Sequence, residues 1–359
     1  MKNPFSPKKL PLEMSSDDLL ILYKKAMEAR VKLEKFNHML EISPVQETAI
    51  MFFSLNESVE STKIEGTQAT FDEVIEAEIT GKINTDIQEV RNYMEALEVG
   101  NNLLKTFPIS TRMILKLHEI ILKDSRGQNI NPGEYRKTQN FIGLTNKIED
   151  ASYIPPEPQL VTEYMSNLEK YINDELEDDI DPIIKAGIIH AQFETIHPFL
   201  DGNGRLGRIL MILYLLEKKV ISKPAFFMSE YLEKNKYKYY ALLNGLRTEN
   251  PSWVEWLSFF LDAAIKQSEA YIEKLTRIEN LLTELLEFTK TNNMNPLFVF
   301  AIFKKPYFTI KDIESMVGVS YNAANTNIKK LLTTGRIFPD DKKRNKTYRF
   351  YDLLDILRK

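Results

Sequence analysis

Apolar residues return every third or fourth position over most of this chain, and that spacing limits its fold more than any other feature. The pattern runs through residues 19–40, 45–64, 113–122, 161–172, 183–196, 206–216 and 253–285. Side chains three and four apart share a helix face, so each segment buries one stripe against the others. Ser43-Pro44 followed by Gln46 predicts a cap, a first-turn proline and a capping-box partner. Asp181-Pro182 predicts a helix start just before residue 183. The most apolar run, residues 209–216, is far too short to cross a bilayer and reads as the buried middle of a core helix. The expected class is mainly α.

Strand-prone sequence is scarce before residue 300. The exception is 140–156, where two short β-prone pieces flank a polar turn and a double proline ends the unit, a small hairpin on a helical body. A chain of 359 residues exceeds what one hydrophobic core usually serves. The Asn-rich stretch 292–296 marks a boundary. The expected units are a helical region over 1–95, a core over 96–289 and a tail module over 290–359. The tail carries 14 Lys/Arg against 6 Asp/Glu, which leaves the remainder at −12 within a net charge of −4. A basic module on an acidic body points to a separate binding role. Cysteine is absent, so disulfides and thiol-held metals are excluded and a cytoplasmic location is compatible. The N-terminal residues lack the apolar centre of a signal peptide, and no membrane contact is expected.

The densest chemistry lies in 197–208, HPFLDGNGRLGR. Gly202-Asn203-Gly204 falls between a helix ending near His197 and another starting near Leu206. Glycines let the backbone turn tightly and approach a ligand. Helix N-terminal amides with their dipole bind phosphate. Arg205 and Arg208, three apart, can lean over one side of that helix start, and their forks match phosphate oxygens. Asp201 supplies a hard oxygen suited to Mg²⁺ on a phosphate. His197 has the natural pKa of a proton acceptor near neutrality.

These residues resemble the Fic family signature, HPFx[D/E]GN[G/K]RxxR, at every specified position: His197, Pro198, Phe199, Asp201, Gly202, Asn203, Gly204, Arg205 and Arg208. Gly133-Glu134-Tyr135-Arg136 and Tyr153-Ile154-Pro155-Pro156 resemble the family's approach to its flap hairpin and the flap itself. The resemblance implies a helical Fic core with a β-hairpin flap and transfer of AMP from ATP to a protein Ser, Thr or Tyr hydroxyl, its own chain included. His197 would take the hydroxyl proton, and Asp201 would hold Mg²⁺. The loop from Gly202 to Gly204, helped by Asn203 and continued by Leu206 and Gly207, would hold the phosphates with Arg205 and Arg208. A target segment would add to the flap edge as a strand. Tyr240, in a tyrosine-rich stretch after Ser229, would face the adenine.

Ser61 to Gly66 resembles the family's inhibitory motif, [S/T]xxxE[G/N]. Gly66 fits a left-handed helix stop, which puts Glu65 on the last turn against the helix dipole. An ion pair from Glu65 to Arg208 would keep the arginine from ATP, with Ser61 fixing the helix. Glu65 could equally orient a water that removes AMP, and the sequence leaves both roles open. In the tail, 309–316, a turn at Gly318 and 321–332 followed by two strands within 338–350 resembles a winged helix-turn-helix. Lys329, Lys330, Arg336, Lys342, Lys343, Arg344 and Lys346 would face DNA phosphates, or the module would contact protein. The resemblance also implies a homodimer. The competing readings are an ATP-sensing DNA-binding regulator and Fic-type transfer of another group.

Overall fold

The structure is a computed structural model that describes residues 3–126, 130–143, 145, 147–342 and 346–358. The chain runs through α1 (Ser16–Ile42), α2 (Gln46–Ile64), α3 (Phe71–Thr80), α4 (Thr85–Leu103) and α5 (Thr111–Leu122). A small hairpin follows, β1 (Ile142–Gly143) and β2 (Ala151–Tyr153), then α6 (Val161–Ile172), α7 (Pro182–Ile196) and α8 (Asn203–Glu217). Next come α9 (Ser229–Lys234), α10 (Lys236–Gly245) and the long α11 (Trp253–Thr291). The tail holds α12 (Leu297–Lys304), β3 (Tyr307–Thr309), α13 (Ile310–Val317), α14 (Tyr321–Leu332), β4 (Ile337–Pro339), β5 (Thr347–Phe350) and α15 (Tyr351–Arg358). No helix is long and apolar enough to cross a membrane among the described residues.

α7 and α8 form the centre. Every residue from Ile183 to Ile196 is buried, and α8 buries nearly all of its length. Helices apolar all round belong inside a fold, and here α4, α5, α6 and α11 surround the pair. The start of α7 is as the sequence predicts: the Asp181 side chain accepts from the Ile183 amide at 2.8 Å, with Pro182 in the first turn. The start of α2 is not. No side chain caps it, and the Ser43 hydroxyl accepts from the Val45 amide instead, so the expected capping box is absent. The expected edge at residue 95 lies inside α4, a continuous helix packed on α5 and α8.

In the tail, Thr309 and Asp312 form a capping box for α13, left-handed Gly318 closes it, and Ser320 caps α14. The three strands make an antiparallel sheet in the order β3-β5-β4. The module packs back on the body, α15 against α11 and α2 and β3 against α3. Arg336 pairs with Glu284 and Asp352, so it is spent on the body and on its own module rather than held out for phosphates. Lys343 and Arg344 of the expected basic loop, and Leu144 and Asn146 of the expected hairpin turn, lie outside the described residues.

Candidate nucleotide site

The turn between α7 and α8 is built from its own backbone. His197 closes α7 with φ 49° and ψ 61°, a left-handed conformation that costs a non-glycine residue about 1 kcal/mol. Gly202, with φ 79°, leads into α8. The Asn203 side chain ties the turn shut: its Oδ1 accepts from the Phe199 amide and its Nδ2 donates to the Phe199 carbonyl, both at 2.9 Å. Both of its polar atoms are therefore used on the loop, and Asn203 shapes the cradle instead of reaching into it.

Arg136, His118 and Asn140 hold this turn from outside, and of these His118 carries no local signal in the sequence. Arg136 donates through Nε to the His197 carbonyl at 2.9 Å and through Nη2 to the Pro156 carbonyl at 2.5 Å, while its amide donates to the Pro198 carbonyl at 2.9 Å. A cation on the last carbonyls of α7 also suits the helix dipole. His118 stacks on Phe199 with ring centroids 3.7 Å apart. Its Nε2 lies 3.0 Å from the Asp201 carbonyl and its Nδ1 accepts from the Gly133 amide at 2.9 Å. That pair of partners requires the proton on Nε2. Burial pushes the His118 imidazole down to about 4, so it stays neutral. Asn140 adds a bond from Nδ2 to the Phe199 carbonyl at 2.9 Å.

The two arginines of α8 diverge. Arg208 is fully buried and turns to α2, donating from Nε to the Ser61 hydroxyl at 2.7 Å, and from Nη2 to the Ser61 carbonyl at 2.8 Å and to Glu65 Oε1 at 2.7 Å. Burial works against its charge, but the Glu65 carboxylate and the nearby tyrosines outweigh it and raise the guanidinium above its ordinary range. Gly66, with φ 97°, ends α2 as the sequence predicts. A Cβ at Gly204 would lie 2.1 Å from Glu65 Oε1, so the carboxylate rests on the first turn of α8. One turn back from Ser61, buried Glu57 accepts from Tyr93 at 2.7 Å and from the Ser229 hydroxyl at 2.6 Å, and burial pushes it up to about 7.

Arg205 points the other way. It reaches Asp201 at 3.4 Å and Glu89 of α4 at 3.9 Å, so the two arginines do not lean over one side as expected. Glu89 is held by Arg126 through two bonds of 2.7 Å and accepts from Thr67 at 2.7 Å. Leu206 lies wholly in the core. Gly207 is where α7 crosses α8 closely: a Cβ there would meet Glu194 Oε1 at 2.8 Å and the Phe193 ring at 3.1 Å. The Leu206 side chain is thus buried in the core, and the space beside Gly207 is taken by Glu194.

A cavity of about 530 Å³ opens beside the turn, lined by Glu65, Glu194, His197, Gly204, Arg208 and Tyr240 together with flap residues and Arg247. Of the candidate residues, Glu65, His197, Gly204, Arg208 and Tyr240 thus meet around one space. Burial, with Arg247 and then Arg136 nearby, pushes the His197 imidazole down to about 3. It is a free base whose Nδ1 has no hydrogen-bond partner among the described residues. Tyr240 donates to the Ile64 carbonyl at 3.3 Å, which joins the cavity wall to the end of α2. The flap ladder pairs Ile142 with Tyr153 and Gly143 with Ala151 along the rim.

Among the described residues no cluster of three or more His, Cys, Asp or Glu side chains is placed to hold a metal. Mg²⁺ does not require one, because it binds through one or two carboxylates plus phosphates. Asp201 fits that donor set: Oδ1 accepts from Gly202 at 2.6 Å and from Arg205 at 3.4 Å, and no bond to Oδ2 is seen among the described residues.

Comparison with known proteins agrees with this geometry. Residues 108–215 match the Fic/DOC family and residues 23–102 match the Fic/DOC family N-terminal model. A probable protein adenylyltransferase of Aquifex aeolicus is 27% identical over 273 residues, covering 75% of this chain and 77% of that protein. The protein adenylyltransferase Fic of Drosophila grimshawi is 30% identical over 139 residues, covering 38% of this chain and 27% of its own length. The match thus spans most of the bacterial relative and about a quarter of the fly one. In fold, a Fic family protein from Desulfovibrio desulfuricans G20 superposes with a TM-score of 0.59 at 19% identity, covering 96% of this chain and 98% of that one. Signature turn, preceding helical region and overall fold agree, and the chain belongs to the Fic/DOC family.

Proposed function

We propose that this protein is a protein adenylyltransferase, held back by its own Glu65. The observation that carries the reading is the cavity shared by a neutral His197, the start of α8 at Gly204 and the buried Arg208. ATP would place its phosphates on the amides opening α8, where unpaired donors and the helix dipole favour anions. His197 takes the proton of a Ser, Thr or Tyr hydroxyl on the target protein. The oxygen attacks the α-phosphorus, the new O–P bond forms, the bond to the β-phosphate breaks and pyrophosphate leaves. Positioning and charge neutralisation dominate such a transfer. Mg²⁺ on Asp201 would supply positive charge to the phosphate oxygens. Glu65 opposes all this by filling the space over Gly204 and occupying Arg208.

The test is mass spectrometry of Glu65→Gly protein after incubation with ATP and Mg²⁺. The expected result is a gain of one AMP on the protein or an added target, absent when His197 is also Ala. No gain in the single variant would overturn the reading.

DNA contact is the second part of the proposal, and it rests on α14 alone. Tyr321, Asn322, Thr326 and Lys329 stand exposed along it, whereas Arg336 is taken up by carboxylates. Asparagine and lysine suit base edges and phosphates. A mobility shift with genomic fragments that survives Lys329→Ala unchanged would remove this part.

A further inference from the structure

Glu194 sits one turn before His197 on α7 and lines the same cavity. It is 6% exposed, and its Oε1 has no hydrogen-bond partner among the described residues. A buried acceptor left without a donor is costly. That acceptor belongs to a residue that lines a ligand cavity, and a donor arriving with the ligand would satisfy its carboxylate. Phosphate at neutral pH offers acceptors and negative charge, so the phosphate end of a ligand does not belong beside a carboxylate. The neighbouring part of the ligand must carry O–H or N–H groups.

Position along α8 says which part. Gly204 opens the helix at the phosphate end of the cavity. Glu194 Oε1 rests against Gly207, three residues and a rise of about 4.5 Å further along. Tyr239 and Tyr240 line the wall from α10, and the more exposed Tyr240 ring suits a base. Between the phosphates and the base of a nucleotide lies only its sugar. We propose that Glu194 is the ribose-binding residue of the site, its carboxylate accepting hydrogen bonds from the 2′- or 3′-hydroxyl. The inference rests on the nucleotide reading of the cavity given above. Without nucleotide, burial and then the Glu65 charge push the Glu194 carboxyl up to about 7. Displacement of Glu65 removes the like charge and leaves Glu194 ready to accept.

The experiment is calorimetric titration of the Glu65→Gly protein with ATP, 2′-deoxy-ATP and 3′-deoxy-ATP, repeated with Glu194→Ala and with Glu194→Gln added. A hydrogen bond to a charged group is worth enough to shift affinity about tenfold or more. With Glu194 present, at least one deoxy analogue should bind about tenfold more weakly than ATP. In Glu65→Gly/Glu194→Ala, ATP should weaken by a similar factor and the deoxy penalty should vanish. Glu194→Gln keeps the shape and one acceptor, so it should fall between; circular dichroism confirms folding. Equal binding of all three nucleotides with Glu194 present, or a Glu194→Ala loss that is the same for ATP and both analogues, overturns the proposal while leaving the nucleotide site intact. No ATP binding to Glu65→Gly protein overturns the nucleotide reading and the proposal with it.

Discussion

The turn at 197–204 and the proposed brake at 61–66 meet at the same arginine but are held in different ways. The turn is fixed many times over, by Asn203 on Phe199, by Arg136 on three carbonyl groups nearby, and by His118 stacked and bonded on both ring nitrogens. The brake's functional end is one carboxylate, 34% exposed, joined to Arg208 by a single bond of 2.7 Å. The deeper part of α2 is secured by Ser61 and Glu57. A cradle that must keep its shape is built rigid, and a part that must give way to a ligand is attached through its last side chain.

The largest test of that contrast is His197→Ala in the Glu65→Gly background. A positioned general base contributes about 10²–10⁴-fold, so AMP transfer should fall by that factor with the loop still formed. Labelled-ATP transfer and nucleotide affinity separate the two effects. A matching loss of ATP binding would mean that the imidazole builds the cradle instead of acting within it.

His118 provides the next test, through pH. Its folded pKa of about 4 lies below the ordinary value of 6.5, so the unfolded chain binds the extra proton between these values. The stability that neutral His118 contributes is therefore complete above about pH 6.5 and is lost as pH falls toward 4. His118→Phe keeps a ring on Phe199 and removes the titration. The variant should be less stable at pH 7, and the gap to the parent should narrow by about 2 kcal/mol by pH 5. Urea melts at both pH values measure it. A constant gap would show that the ring is not held neutral by the turn.

The proposed brake should yield a figure of similar size. Glu65→Gly removes one charged hydrogen bond, worth about 1.5–3 kcal/mol, and so should raise AMP transfer about 10- to 100-fold. Its melting temperature should drop without nucleotide, since Arg208 loses a partner, and ATP should restore more of it than in the parent. Unchanged transfer would remove Glu65 from the account and make the ion pair merely structural.

How much of this the sequence revealed follows the same division. The motif residues could be placed by type, and α6, α7 and α11 fall where apolar spacing puts them. α4 escapes the pattern because its inner face carries Glu89 and Asn92 alongside apolar residues, Glu89 facing Arg205 and Asn92 holding the end of α5. α10 escapes because it buries only Tyr239 and Leu243. Arg136, His118 and Glu194 act through contacts between segments distant in sequence, which no local spacing encodes. Arg205 and Arg208 lie three apart, and that spacing alone predicts a shared side of the helix. Their partners, Glu89 and Glu65, come from α4 and from the end of α2, so tertiary charge pairing decided their directions.

Partly exposed ion pairs join the tail to α3, and they extend the comparison to a third region. Arg358 donates to Asp72 at 2.7 Å and Arg349 lies 3.7 Å from Glu76, both carboxylates on α3, which follows the brake in the chain. These side chains are partly exposed, and such pairs are worth about 0–1 kcal/mol and weaken with salt. The apolar face of α15, with Leu353, Leu354, Ile356 and Leu357 buried, carries most of the docking. Asp72→Asn should therefore change stability by less than about 1 kcal/mol at low salt. It should also leave AMP transfer by the Glu65→Gly protein within about twofold, a shift of RT ln 2 or less. Melts at low and high salt, with transfer assays alongside, decide it. A large rise in transfer from Asp72→Asn in the parent protein would break the division, because it would mean that the tail holds the brake in place through α3.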